Sequence, residues 1–323
     1  MIYRRLGCTG WKVSEIAYGL WGMSGWSGSD DAESRRSIQA SVDLGCNFFD
    51  TAWAYGEGKS DALLGEAIHN NPGKRLYAAS KVPPRNRQWP ASPKDSLQEV
   101  FPTDHVLEYA GKIRKALGVE RIHLLQYHVW DDSWVKDPDF RSTVEQLKQS
   151  NLIEFFGLSL NRWEPWNGIR AIETGLVDVV QVIYNIFDQN PEDELFPVCR
   201  KHDVGVIARV PLDEGSLGGD FTRDTKFPDS DWRARYFRPA NLIPTLERVA
   251  KLKDLVPPGM SLPELALRFI LENADVSTTI VGMRKADHVK NNLAVSDGKK
   301  LPPSLLQELH RHRWVRKPTR HSD

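Results

Sequence analysis

The strongest constraint on the fold of this chain is a rhythm. Short apolar runs of strand length alternate with amphipathic stretches of helix length, eight times over, between residues 16 and 293. Each intervening segment is long enough to carry the chain back and lay the next strand parallel to the last. The strands are expected at about 16–20, 47–50, 75–81, 121–128, 153–159, 177–183, 204–208 and 278–281. Between them the spacing predicts helices. Asp30 with Glu33 reads as a capping box for a helix that carries Ile38 and Val42 inward and ends at Gly45. Residues 59–70 put Leu63, Leu64 and Ile68 on one face, and Thr103 caps a helix with Val106, Ala110, Ile113 and Leu117 inside, stopped by Gly118. Asp137 and Pro138 open a helix that buries Phe140, Val144 and Leu147, and further helices are expected at 163–174 and 192–202. Helices at 243–255 and 262–272, the second from a Ser261/Glu264 capping box, precede the last strand, and helices at 285–293 and 304–313 follow it. The pattern is that of a (β/α)8 TIM barrel with an extra C-terminal helix. Residues 2–15, with Tyr3-Arg4-Arg5-Leu6 and Trp11-Lys12-Val13 either side of Cys8-Thr9-Gly10, read as a β-hairpin that caps one end. A doubly wound sheet is the rival, and its glycine fingerprint is missing. No linker or composition break divides the 323 residues, so one domain spanning 1–323 is expected.

Charge narrows the partners. Lys and Arg number 43 and so do Asp and Glu, which gives no electrostatic footprint for a nucleic acid or a membrane surface. Small-molecule partners are expected, and the sequence names no protein partner. The opening Met1-Ile2-Tyr3-Arg4-Arg5 has no apolar run of signal-peptide length, so the default location is cytoplasmic. Cys8, Cys46 and Cys199 are an odd number without CxxC spacing and read as reduced thiols.

A barrel of this kind gathers its chemistry at the C-terminal ends of its strands. There the second, third and fourth strands end in Asp50, Lys81 and His128, and Tyr55 follows in the aromatic and glycine-rich loop from Phe48 to Gly58. Neighbouring strands lie about 5 Å apart, so the four side chains can converge. Each alone is ordinary: a turn cap, a solvated tip, a satisfied polar group. Together they suit proton transfer from a phenol, whose pKa near 10 holds the proton too tightly at neutral pH. An ammonium favours the phenolate, a carboxylate keeps that ammonium charged, and a histidine can donate to a carbonyl oxygen. A glycosidase is the rival enzyme, with Asp50 paired to Glu57 or Asp131, but it leaves Lys81, Tyr55 and His128 without a task. A metal hydrolase lacks a ligand cluster, because His123 and His128 lie on one strand with opposite parity. Gly58-Lys59-Ser60 mimics the end of a phosphate loop, yet Trp53 occupies the place of its first glycine.

This constellation resembles the aldo-keto reductase superfamily. The matching stretches are Phe49-Asp50-Thr51-Ala52 with Tyr55-Gly56, Ala79-Ser80-Lys81, Leu125-Gln126-Tyr127-His128 and Gly157-Leu158-Ser159 with Asn161. Val180-Gln181, Pro211-Leu212 with Gly215 and Leu217, and Gly282-Met283-Arg284 with Asn291-Asn292 continue them in family order. The resemblance implies an NAD(P)H-dependent oxidoreductase that reduces aldehydes and ketones to alcohols by hydride transfer. It makes Tyr55 the general acid or base, tuned by Lys81 and Asp50, with His128 orienting the carbonyl.

It also implies a cofactor site. Ser159, Asn161 and Gln181 match the residues that hold the carboxamide, and Leu212, Gly215, Ser216, Leu217 and Gly282 fall where barrels bind phosphate. Trp21, after the first strand, joins this set. Arg209 stands where many members carry an aromatic that stacks on nicotinamide, and a guanidinium plane can also stack. Arg284, with Lys285 and His288, suits the extra phosphate of NADP, so NADPH is favoured, with NADH an alternative. Asn292 matches a family position, whereas Asn291 stands where the family often has Glu. Trp21, Trp53, Trp89, Trp130, Trp163 and Trp232 follow strands and are candidates to wall a pocket for apolar carbonyl compounds or sugars. Packing is the reading preferred for Trp163 and Trp166. Asp131, Asp132, Arg85 and Arg87 are open between substrate contacts and ordinary loop roles. A redox sensor or partner subunit that binds nucleotide with little turnover is the alternative from another class.

Overall fold

A computed structural model describes residues 1–23, 28, 30–229 and 231–316. Most of the Gly/Ser-rich loop expected after Trp21 lies outside the described residues. Among the described residues the strands are β1 (Tyr3–Arg5), β2 (Lys12–Ser14), β3 (Ile16–Gly19), β4 (Phe48–Asp50), β5 (Tyr77–Val82), β6 (Ile122–Tyr127), β7 (Ile153–Ser159), β8 (Val179–Ile183), β9 (Gly205–Arg209) and β10 (Thr278–Gly282). Strands β3 to β10 close into a barrel in chain order, β10 pairing with β3, and every pair is parallel. This is the (β/α)8 barrel the alternation demanded.

Alternation along each strand divides two environments. Phe49, Ala78, Leu125, Tyr127, Phe156 and Val180 face outward into the main apolar cluster under the helices. Phe48, Tyr77, Ala79, Leu124, Val179 and Ile207 face inward, where Leu6, Trp11 and Val13 of the antiparallel β1/β2 hairpin plug the N-terminal end. Trp11 stacks on Tyr77 with ring centroids 4.4 Å apart. The plug sits so close that a Cβ on Gly7, whose φ is +47°, would fall 2.2 Å from the Gly205 nitrogen. With one end sealed, polar inward residues have room only at the other.

Several helix boundaries differ from expectation. Thr103 is the first helical residue of Thr103–Leu117 instead of its cap, and its hydroxyl pairs with Thr143 at 2.7 Å. Asp30 does cap Asp31–Asp43, accepting from the Glu33 amide at 2.7 Å. The helix expected over 163–174 shrinks to Ile169–Ile172, since Asn167 turns its side chain to Trp130 and Asp131 and Gly168 takes φ +156°. The long segments after β5 and β9 carry short helices, Leu97–Val100 and Arg233–Tyr236. The final helix is Pro303–His310, and no described helix is long and apolar enough to cross a membrane.

Candidate active site

The open rim collects the inward residues at the strand ends. Asp50 ends β4, Lys81 lies near the end of β5, and His128 follows β6 directly. Lys81 is buried and its Nζ donates to both Asp50 carboxylate oxygens at 2.7 Å and to the Thr51 carbonyl at 2.8 Å. Gln181, inward on β8, donates from Nε2 to Asp50 Oδ1 at 2.7 Å. Burial pushes the Lys81 pKa down, and the Asp50 charge opposes the shift.

Tyr55 stands over this pair. The Lys81 Nζ lies 5.2 Å from its ring centroid, and the His128 ring meets it edge-on at 5.7 Å. The phenol is pushed well up, by burial first and then by the Asp50 charge, while the Arg209 cation pulls it down. His128 is held well below the usual imidazole range by burial and by the nearby Lys81 and Arg209 cations. It is therefore neutral at pH 7 and keeps one N–H. Its Nδ1 is buried and has no protein partner.

Arg209 ends β9 and donates from Nη2 to the Leu160 carbonyl at 3.0 Å, leaving a buried Nε unpartnered. Burial and the neighbouring Arg162 cation lower its pKa to about 10, so it stays charged at neutral pH. Ser159 and Asn161 are buried on the same side, and the Asn161 Oδ1 has no partner. After β9 the chain takes left-handed φ at Val210, Asp213, Glu214 and Gly215. Here Leu217 is buried, and the Ser216 hydroxyl donates to Asp213 at 2.6 Å. That hydroxyl is therefore turned into the loop. Across the rim, Gly282 ends β10 exposed, Arg284 is half-buried, and Lys285 and exposed His288 flank the start of helix Ala286–Ala294, which has no side-chain cap. The Arg284 stem crosses Gly22, where a Cβ would lie 2.8 Å from its Cδ. Asn292 is buried in that helix, and half-buried Trp21 begins a short turn beside Gly22.

Of the six candidate tryptophans, Trp89 and Trp163 line a cavity of about 360 Å³ beside the rim, together with Asn161, Arg162 and Glu164. Trp89 also meets His128 edge-on at 5.6 Å. Trp130 is buried among Trp134 and Phe140, Trp53 packs on Tyr109, and Trp232 on Tyr236. Asp131 accepts from the Ser133 amide and Asp132 from the Arg170 amide in helix Ile169–Ile172, and Arg85 bonds the carbonyls of Gln98 and Glu99. With Asp50 held by Lys81 and Gln181, and Glu57 exposed beside Arg87 at 3.8 Å, the two-carboxylate glycosidase arrangement is not formed.

Sequence reasoning gave no role to Asp61, Arg162 or Gln126, the last quoted only within a matching stretch. Asp61 is buried on helix Lys59–His69, takes a hydrogen bond from Ser80 at 2.6 Å and has its pKa raised by burial to about 7. An acid in phase with Leu64 and Ile68 on the apolar stripe was the available signal. Gln126, inward between Lys81 and Gly157, has both amide atoms buried and unpartnered.

The Aldo/keto reductase family model matches residues 15–313. The chain is 27% identical over 299 residues to the aldo-keto reductase YhdN of Bacillus subtilis (strain 168), covering 88% of this chain and 86% of that protein. It is 23% identical over 305 residues to the NADH-specific methylglyoxal reductase of Escherichia coli (strain K12), covering 90% and 91%. Among solved structures, the glycerol dehydrogenase from Gluconobacter oxydans shares the fold, with a TM-score of 0.78 at 24% identity over 98% of both chains.

Proposed function

Because this chain belongs to the aldo/keto reductase family and is thereby a nicotinamide-dependent oxidoreductase, we propose that it reduces aldehydes and ketones to alcohols, preferring NADPH, with Tyr55 as general acid. The observation that carries this reading is the contact set at the rim: Asp50 bound to Lys81, with Tyr55 above the ammonium and His128 at the phenol's edge. Bound coenzyme supplies the hydride. Tyr55 passes its proton to the carbonyl oxygen as the alcohol forms, and neutral His128 holds that oxygen with its N–H. The Lys81–Asp50 pair fixes the floor on which the phenol rests.

The residues present fit the coenzyme. The buried, unpartnered Asn161 Oδ1 is an acceptor suited to a carboxamide N–H, with Ser159 adjacent. The left-handed turn after β9 is the segment we assign to the pyrophosphate. The uncapped start of helix Ala286–Ala294, with Arg284 and His288, suits a further phosphate and favours NADPH over NADH.

Paired NADPH and NADH titrations followed by tryptophan emission, then coenzyme oxidation with a panel of aldehydes and ketones, test the proposal. NADPH is expected to bind more tightly and to be consumed. Tyr55→Phe should lower turnover by about 100-fold or more while leaving the NADPH Kd within a few-fold. Loss of binding and turnover in equal measure would assign Tyr55 a structural role instead.

A further inference from the structure

The Asp50 carboxylate is held from two walls of the barrel. Lys81 reaches it from β5, the adjacent strand, and bonds both of its oxygens at 2.7 Å. Gln181 reaches it from β8, four places away in the closed ring of eight strands and therefore on the opposite wall, and its Nε2 donates to Oδ1 at 2.7 Å. A side-chain bridge thus crosses the barrel interior. All three groups are buried, Asp50 and Gln181 at 2% exposure and Lys81 at 1%, so water does not compete for these bonds.

Both Lys81 bonds to Asp50 start from one nitrogen on a flexible stem, so by themselves they let carboxylate and ammonium drift together. The Gln181 bond starts from the far wall and pins the carboxylate independently. The Tyr55 ring centroid lies 5.2 Å from the Lys81 nitrogen, so any drift of the pair moves the support of the phenol. As the partner of an ammonium, the carboxylate only accepts. Gln181 therefore turns its amide nitrogen to Asp50 and keeps Oε1 as the end able to accept from a coenzyme carboxamide. The cations acting on this cluster are Lys81 and Arg209, Asp61 is the other nearby acid, and Tyr55 and His128 are uncharged at neutral pH.

We propose that Gln181 is a positioning residue for the proton step: from the wall opposite β4 it holds the Asp50 carboxylate, and through it the Lys81 ammonium, in place beneath Tyr55. This deepens the carbonyl-reductase reading and rests on it.

Gln181→Met keeps the length of the side chain and removes the bond. With saturating NADPH and an aldehyde that the wild type reduces, its kcat should fall by about tenfold or more. A kcat that holds while the KM for NADPH rises makes Gln181 a coenzyme contact alone and overturns the proposal. Gln181→Glu sets a second carboxyl against Asp50 within hydrogen-bond reach, where the two share one proton. The folded variant then keeps that proton above the ordinary glutamate pKa of about 4.3, so the stabilisation is full below that value and is lost as pH rises through the folded one. In the coenzyme-free protein, the deficit in thermal midpoint of Gln181→Glu against the wild type should therefore be larger at pH 8 than at pH 5, by about 3 °C or more. Asp61 is common to both proteins and cancels. Asp50→Asn/Gln181→Glu reverses the bond, with one amide and one carboxylate as before, and the extra deficit at pH 8 should vanish. A deficit independent of pH, or one that persists in the double variant, overturns the bridge. If the wild type reduces no aldehyde, the catalytic reading fails, while a pH-dependent deficit that the double variant removes still sustains the hold of Gln181 on Asp50.

Discussion

Lys81 has three protons to give, and Asp50 and the Thr51 carbonyl take all of them. The ammonium is thus a support beneath the Tyr55 ring, while the cation that pulls the phenol's pKa down is Arg209. The position that many family members fill with a stacking aromatic here carries a charge that acts on the acid itself. Arg209→Met should therefore raise the phenol pKa. In the alcohol-oxidising direction, where phenolate must accept the proton, the rise of kcat with pH should move to higher pH, and reduction at pH 7 should slow by about tenfold. A pH profile of kcat in both directions checks this, and coincident profiles for the two proteins would remove Arg209 from the proton step.

The element most dependent on distant support is the turn after β9. Val210 takes φ +58° and Asp213 φ +46°, conformations that L-residues adopt at a cost. Asn185 holds the Val210 carbonyl at 3.0 Å, and Arg316, arriving from the other end of the chain, pairs with Asp213 at 2.7 Å and with Asp188 at 3.3 Å. Its guanidinium is flanked by the rings of Trp314, Phe187 and Trp163 and also reaches the Tyr236 hydroxyl. Removing it takes their paired cation from two buried carboxylates. Arg316→Met is expected to lower the thermal midpoint by about 5–10 °C and to weaken coenzyme binding, because the turn assigned to the pyrophosphate loses its anchor. Asp213→Asn placed on top should recover part of both losses. Calorimetry and a fluorescence titration read the two effects, and a coenzyme Kd that does not move in Arg316→Met would separate the anchor from the binding turn.

At the scale of the whole molecule, global stability carries a record of one buried acid. Folded Asp61 keeps its proton to about pH 7, whereas the ordinary value is 3.8, so between those limits the folded state binds more protons than the unfolded one. The contribution of this group is complete below pH 3.8 and is lost as pH rises through 7. Asp61→Asn preserves an acceptor for Ser80 and should flatten the profile. Its thermal midpoint should exceed that of the wild type at pH 8 by about 2 °C or more, with a smaller gap at pH 5. Equal gaps at both values would mean that Asp61 is already ionised in the folded protein. The barrel, its hairpin plug and the convergence of Asp50, Lys81, Tyr55 and His128 could be read from sequence because they follow from alternation along strands and from the order of those strands. Gln181 was legible as an inward residue but not as a partner of Asp50, which lies 131 positions away. Ser216 and Arg316 illustrate the same limit, since the direction of a hydroxyl and the destination of a terminal arginine depend on contacts that no local window contains. The failed helix at 163–174 depended on Asn167 reaching back to the loop after β6. The sealed base of the barrel also bears on how the protein can be handled. Residue 1 lies on the hairpin side, so a tether attached there turns the working face to solution, whereas a tether fixed at Arg316 would pull on the anchor that steadies that face.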